Sequence, residues 1–328
     1  MTTSTEALVA RANIPWRRIL LRPETPATTF LLIMIALFAA IIQGFFTFNN
    51  FVSILSVAAV PGIIALAMNQ VVLAGEIDIS VGSILGVCVY VVGLTAEVTG
   101  GVLLPLIAGV LAGGVMAALN ATLVTWGRIP SIIVTLGSLY ALRGLLLEWG
   151  GGVVIALPAE SRVLGTGEIA GIPLPAILLL LTWLLFELLS RHTRWGRDIL
   201  AVGGNPTAAK FSGLKTRWIK WRAFVVLGFF TGLAATISLS QVGSTQATVG
   251  TGYELQVLAA VVIGGTSIMG GRGSTAAPVI GALLIGVVLN GMTLMGISDR
   301  YSQLVFGLII LLAVSVDVLV RRLAKDPS

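Results

Sequence analysis

The chain has 328 residues, of which 56% are hydrophobic and only 10% charged, well below the roughly one quarter typical of soluble domains. Apolar runs of about 20 residues recur from end to end, each long enough to cross a ~30 Å hydrocarbon layer as a helix, which excludes a soluble globular protein. The net charge of +6 and pI near 10 do not signal nucleic acid, because the basic residues flank the apolar runs as membrane topology requires.

The regular alternation of barrel strands is absent and the apolar runs are continuous, so the fold class predicted is all-α, a polytopic membrane protein. Residues 1–26 are polar, with Arg11, Arg17, Arg18 and Arg22 ahead of the first apolar run. That run, 27–46, is too long for a signal-peptide core and lacks a small-residue cleavage pattern, so it reads as an uncleaved span. Four more follow at 51–74, 79–96, 102–125 and 131–149, with Pro61 expected to kink the second. Residues 150–173 form a Gly-rich connection too polar to cross. A sixth span covers 174–190, and a strongly basic stretch follows to Arg222. Spans are then expected at 223–242, 254–269, 276–296 and 302–319, before a tail at 321–328.

Ten spans satisfy the positive-inside rule with both termini in the cytoplasm. Arg128, the 191–222 loop, Arg272 and the tail residues Arg321, Arg322 and Lys325 all then fall inside. Only Arg162 and Arg300 fall outside, the latter beside Asp299. Five plus five spans would set the second half inverted against the first, a common transporter plan. The turns GEIDIS (75–80) and GTGYEL (250–255), each with an acid near a helix start, are the sequence's support for that repeat.

The chemistry-bearing residues are few. Asp78 and Ser80 open the third span, where an aspartate can N-cap the first turn or reach a substrate. Glu254 can act likewise at the eighth through the positive end of its helix. Arg143 sits within the fifth span, where a charge costs roughly 2.5–3.5 kcal/mol on insertion scales. It must face protein or water, or snorkel to the outer interface. Asp78, Arg143 and Glu254 are the candidates for a translocation path. Cys88 reads as a packing residue and His192 as a solvated residue at a helix end. The run GGTSIMGGRGS (264–274) resembles the start of a P-loop but has Gly271 and Arg272 where Lys and Ser/Thr are required, so it reads as close helix packing with a flexible break. With no metal cluster, no second histidine and no paired carboxylates, neither an enzyme nor a cofactor is predicted.

The basic stretch carries local structure of its own. Asn205 suits an N-cap, Pro206 the first helical position and Gly213 the C′ position, which predicts a short helix over 206–212. Ala208, Ala209 and Phe211 give it a small apolar surface that suits docking to a protein better than lying on a membrane.

WGRDILAVGGNPTAAKFSGL (195–214) resembles the cytoplasmic coupling segment of the ribose-type ABC sugar permeases, a family that includes rhamnose, xylose and autoinducer-2 permeases. GEIDISVGS (75–83), GRIPSIIVTLGSLYALRG (127–144), GTGYELQVLAAVVIGGTSIMGGRGS (250–274) and NGMTLMGIS (290–298) match in the same order. The resemblance implies the permease subunit of a bacterial inner-membrane importer, with residues 27–320 as the permease domain. Its partners would be a cytoplasmic ATP-binding subunit, a periplasmic solute-binding protein, a second permease and the lipid bilayer. Motif for motif, Arg197, Gly204, Asn205, Ala208, Ala209 and Gly213 would meet the ATPase. Glu76 and Ile77 before Asp78, and the acidic-poor loop after Trp149, depart from the family's pattern at positions where the resemblance implies that substrate preference is set. An ion-coupled secondary transporter, an amino-acid permease of the same superfamily and a static or receptor-like membrane protein are the rival readings.

Overall fold

The computed structural model describes residues 24–150, 154–298, 301, 304–305, 307–308 and 311. Nearly all of the expected N-terminal segment, most of the tenth span and the whole tail lie outside the described residues. Eleven helices carry the described fold: α1 Thr25–Ile41, α2 Phe48–Leu73, α3 Val81–Thr99, α4 Leu103–Thr125, α5 Ser131–Gly150, α6 Leu174–His192, α7 Arg194–Gly204, α8 Pro206–Phe211, α9 Thr216–Val242, α10 Tyr253–Ile263 and α11 Ala277–Leu294. Among the described residues seven are long and apolar enough to span, namely α2 to α6, α9 and α11. The expected all-α fold is amended by one small hairpin in the 150–173 connection, β1 Glu168–Ile169 with β2 Ile172–Pro173. Ala170 and Gly171 turn it, both with positive φ, the geometry that matches the twist of paired strands.

The core is built from α2, α3, α9, α10 and α11, whose apolar residues form one continuous buried cluster. Helices α4, α5 and α6 flank it, adding Ala121 and Val124, Val134, and Leu179 and Phe186 to the cluster, and each keeps an exposed apolar face. Water cannot drive helices together within lipid, so close backbone packing at small residues must do it. Gly109 and Gly113 of α4 meet Gly232 and Gly228 of α9. A Cβ on Gly228 would stand 2.3 Å from the Gly113 carbonyl, and one on Gly232 would stand 2.2 Å from that of Gly109. The pair α2 and α11 repeats the device with Ala58 and Gly62 against Gly286 and Ala282.

Three span expectations need correction. The first run gives only the 17 residues of α1, because the chain turns at Gly44, whose φ is 78°. The eighth run breaks after Ile263, leaving the 11-residue α10 with a loop over 264–276. At 1.5 Å per residue α10 covers about 16 Å, half of a membrane. The seventh begins at Thr216 rather than 223, since Thr216 to Trp221 continue the α9 helix into the basic stretch. Pro61 lies within α2, which runs unbroken through it.

Candidate functional site

At the basic end of the bundle the predicted helix forms as α8, Pro206–Phe211. Asn205 accepts a hydrogen bond from the Ala208 N–H at 2.9 Å. At the other end the Leu214 N–H donates to the Ala209 carbonyl and the Gly213 N–H to that of Lys210, with Gly213 at φ 84°. This paired bonding is the Schellman ending that a C′ glycine permits. Ala208 is exposed and Phe211 is 87% exposed, whereas Ala209 is buried and faces the protein, not a partner. That corrects the expected three-residue surface: on so short a helix Ala208 and Ala209 diverge by about 100°.

The helix that precedes it, α7, was not expected from the sequence. Thr193 caps it by accepting from the Trp195 N–H, and Trp195, Ile199 and Val202 recur at helical spacing along one face. That face packs on the end of α2: the Trp195 Nε1–H donates to Gln70 Oε1 at 3.1 Å, and Ile199 clusters with Leu73 and Ala74. Arg197 lies exposed on the opposite side.

The end of α7, two residues before α8, is tied to the bundle by glycine backbone. A Cβ on Gly203 would fall 1.7 Å from the Leu73 carbonyl and 2.7 Å from the Gly271 nitrogen. Gly271 N–H donates to that Leu73 carbonyl at 2.9 Å, and a Cβ on Gly270 would stand 2.8 Å from Gly75 Cα. The ends of α2 and α7 and the 264–276 loop thus meet with no room for a side chain. Gly204, singled out from the sequence, is nearly open, its closest neighbour 4.0 Å from an added Cβ, while Gly203 carries the contact. A doubled glycine hides which member is crowded.

The second assembly lies deeper. Residues 243–252 leave α9 and run down α3 without helical structure, meeting it at Gly93 beside Thr245, at Gly86 beside Val249 and at Gly82 beside Gly250. That descent along α3 is about 16 Å. It leads directly into α10. Irregular backbone at such depth persists only where protein buries it or a watery cavity faces it. Thr245 and Gly250 are buried against the protein, while Gln246, Thr248 and Thr251 are exposed in the single chain.

The three predicted path residues surround this break. Asp78 is buried, and its Oδ1 accepts from the Ser80 N–H at 2.8 Å and the Ser80 hydroxyl at 2.5 Å. The N-cap position belongs to Ser80, so Asp78 shapes the turn before α3 instead of capping it. Asn120 of α4 donates to the same hydroxyl at 2.9 Å and accepts from Ser138 of α5, which joins three helices through polar groups. Glu254 Oε1 accepts from the Gly252 N–H at 3.2 Å, reaching back to the N-cap of α10 as predicted. Arg143 neither snorkels nor stands free, since its Nη1 donates to the Val249 carbonyl at 2.9 Å. Glu254 and Arg143 therefore meet at 249–254, and Asp78 sits one turn before Gly82 on α3. One face of α5 beside them, carrying Gly137, Tyr140, Ala141, Gly144 and Glu148, is uncovered in the single chain.

A helical bundle with a broken crossing at membrane depth and a capped helix presented at its basic end defines a transport permease of the multi-pass kind. The family model for the branched-chain amino acid transport system / permease component matches residues 50–314, and the chain belongs to that family. It is similar to the ribose import permease protein of Escherichia coli K12, with 35% identity over 299 residues covering 90% of this chain and 93% of that one. The Bacillus subtilis ribose import permease protein is 36% identical over 292 residues, covering 88% and 90%. The D-allose transport system permease protein of Escherichia coli K12 is 32% identical over 299 residues, covering 90% and 92%. No solved structure matches the chain. The protein is a multi-pass permease component of a bacterial inner membrane, and its role is transport rather than catalysis.

Proposed function

We propose that the chain is the permease subunit of an ABC importer that moves a monosaccharide or related small polar solute inward. Sugar permeases among its relatives favour that solute over the amino acid of the family's descriptive name. In this reading a cytoplasmic ATPase subunit supplies energy at Arg197, Gly204, Asn205, Ala208 and Gly213, and Ala209 supports that contact from beneath. A periplasmic solute-binding protein delivers at the 150–173 side, and a second permease covers the open face of α5. The observation that carries the reading is the doubly capped α8 helix, presented outward and following directly on α7, whose end meets α2 through the crowded Gly203. A push on α8 would pass to the bundle without slack.

The permease domain, 27–320 with its coupling loop at 191–222, would cross ten times as two inverted halves with both termini inside. Support comes from the matched small-residue pairs: α2 with α11 and α9 with α4 use the same four-residue spacing, related by a shift of about 170 residues. The path would run between the open α5 face, with Tyr140 and Gly144, and the exposed hydroxyls of Thr248 and Thr251. Arg143 would hold that wall in place, while Asp78 and Glu254 stabilise the broken ends of α3 and α10. The test is uptake by proteoliposomes holding the permease, its ATPase and its binding protein. Ala208→Trp should abolish ATP-driven uptake with membrane insertion retained, and normal uptake would sink the coupling role.

One observation favours a second reading. Asp78 and Glu254 each keep a buried carboxylate oxygen without a hydrogen-bond partner, as an ion-coupled secondary transporter would. Solute uptake by the purified chain alone, under a proton or sodium gradient, would establish it.

A further inference from the structure

A cavity of about 340 Å³ opens at the basic end between the last turn of α4, the first of α5 and the first of α9. Arg128, Arg217 and Lys220 line it, with hydroxyl-bearing Thr125, Ser131 and Thr216. Lys220 is partly neutralised, its Nζ 2.6 Å from Glu76 Oε1. Arg128 and Arg217 are exposed and have no carboxylate partner among the described residues. Arg128 also holds a φ of 58°, a left-handed conformation uncommon for a side-chain-bearing residue and often a mark of function. Two unpaired guanidiniums in a hydroxyl-lined hollow suit one oxyanion, because guanidinium forks match phosphate geometry.

The surroundings identify what carries the phosphate. Trp126, Trp218 and Trp221 stack edge to face, with centroids 5.1–6.2 Å apart, and each lies within two residues of a cavity cation. Tryptophans gather at headgroup depth, where an apolar ring meets a wet edge. Above them α4 exposes Leu111, Val115, Leu119 and Leu123 at four-residue spacing, a stripe that ends at Trp126 and offers an acyl chain a continuous apolar track. A free anion would need none of this.

We propose that this cavity binds the phosphate of an anionic phospholipid of the adjacent leaflet, with the acyl chains along α4. Pro206, the first residue of α8, also lines the cavity, so the bound lipid braces the helix that meets the ATPase against the start of α5. Positive-inside topology alone accounts for basic residues at this end, but not for their convergence on one hollow beside a tryptophan cluster.

The test is lipid retention by the purified full-length chain, exchanged into mixed phosphatidylglycerol and phosphatidylcholine and analysed by native mass spectrometry. Wild type should retain phosphatidylglycerol over phosphatidylcholine by about thirtyfold, the order expected from two basic residues at an anionic surface. Arg128→Gln with Arg217→Gln should erase that preference, while Lys215→Gln with Arg222→Gln, an equal charge change outside the cavity, should keep it. Equal loss in both double variants would reduce the effect to net charge and overturn the site. Displacement of the lipid by millimolar inorganic phosphate would make it a free-anion site instead. Unchanged retention in the cavity variant, with loss of ATPase co-purification, would assign the arginines to the protein partner. The retention readout needs no transport, so it stands or falls apart from the importer reading.

Discussion

The helix pairs α4–α9 and α2–α11 solve one problem at two tolerances. In α4–α9 glycine faces glycine, and carbonyls of one helix occupy the space a Cβ of the other would need. In α2–α11 alanine faces glycine, and an added Cβ on Gly286 would meet Ala58 Cβ at 2.9 Å and the Ile54 carbonyl at 3.1 Å. The first pair packs backbone on backbone; the second leaves a methyl group between. Matching spacing says that the halves share a plan. The different clearance says that they do not share rigidity, and the looser pair is the better placed to shift when α2 is pushed at its basic end.

The sharpest way to break this comparison is Gly228→Ala. Its Cβ would sit 2.3 Å from the Gly113 carbonyl and 2.5 Å from Ala117 Cβ, where rigid backbone cannot yield. Overpacking of that kind should cost about 3 kcal/mol, seen as lost monodispersity and a lower unfolding temperature in detergent. Gly203→Ala should be next in effect. Crowding against the Leu73 carbonyl should uncouple α7 and α8 from α2, stopping ATP-driven uptake while insertion persists, and Gly204→Ala beside it should leave the fold unchanged. Arg143→Met removes a charge-assisted bond to Val249 and should cost about 2 kcal/mol, with residues 243–252 becoming accessible to protease or to labelling of a cysteine placed at the buried Thr245. Gly286→Ala in the looser pair should cost less than Gly228→Ala, about 2 kcal/mol, because Ala58 Cβ at 2.9 Å must move with its helix but no carbonyl stands closer than 3.1 Å. An equal loss for Gly286→Ala and Gly228→Ala would erase the distinction between the pairs. Smallest of all, Glu76→Gln breaks a partly exposed ion pair with Lys220 and should move stability by less than about 1 kcal/mol, read by the same thermal melt.

Much of the outer plan was legible in the residues. Length and continuity of apolar runs yield α2 to α6 and α11 within a few residues, since a helix of about 20 apolar residues is the only cheap way for a lone segment to cross lipid. The α8 helix was legible too, because Asn205, Pro206 and Gly213 act through their own backbone neighbours. By contrast α7 carries a weak signal, three charges and three glycines over a narrow apolar face, and only the α2 surface beneath it makes that face count. Glu254 was placed correctly at a helix start, but Asp78 was not, since a carboxylate two residues ahead of Ser80 satisfies that residue before any helical N–H.

What the sequence by itself determined is therefore what one segment can decide alone: that the protein lives in a membrane, where most of its spans lie, and where a capped helix must form. Only the tertiary structure decided which of two adjacent glycines is crowded, that Ala209 turns inward, and that the non-helical residues 243–252 lie along α3 ahead of the short α10. Each of these depends on a surface contributed from far along the chain. The segment 243–252, GSTQATVGTG, reads in the sequence as an ordinary polar connection between two spans. It is the glycine-lined groove of α3 that lets a bare backbone lie there.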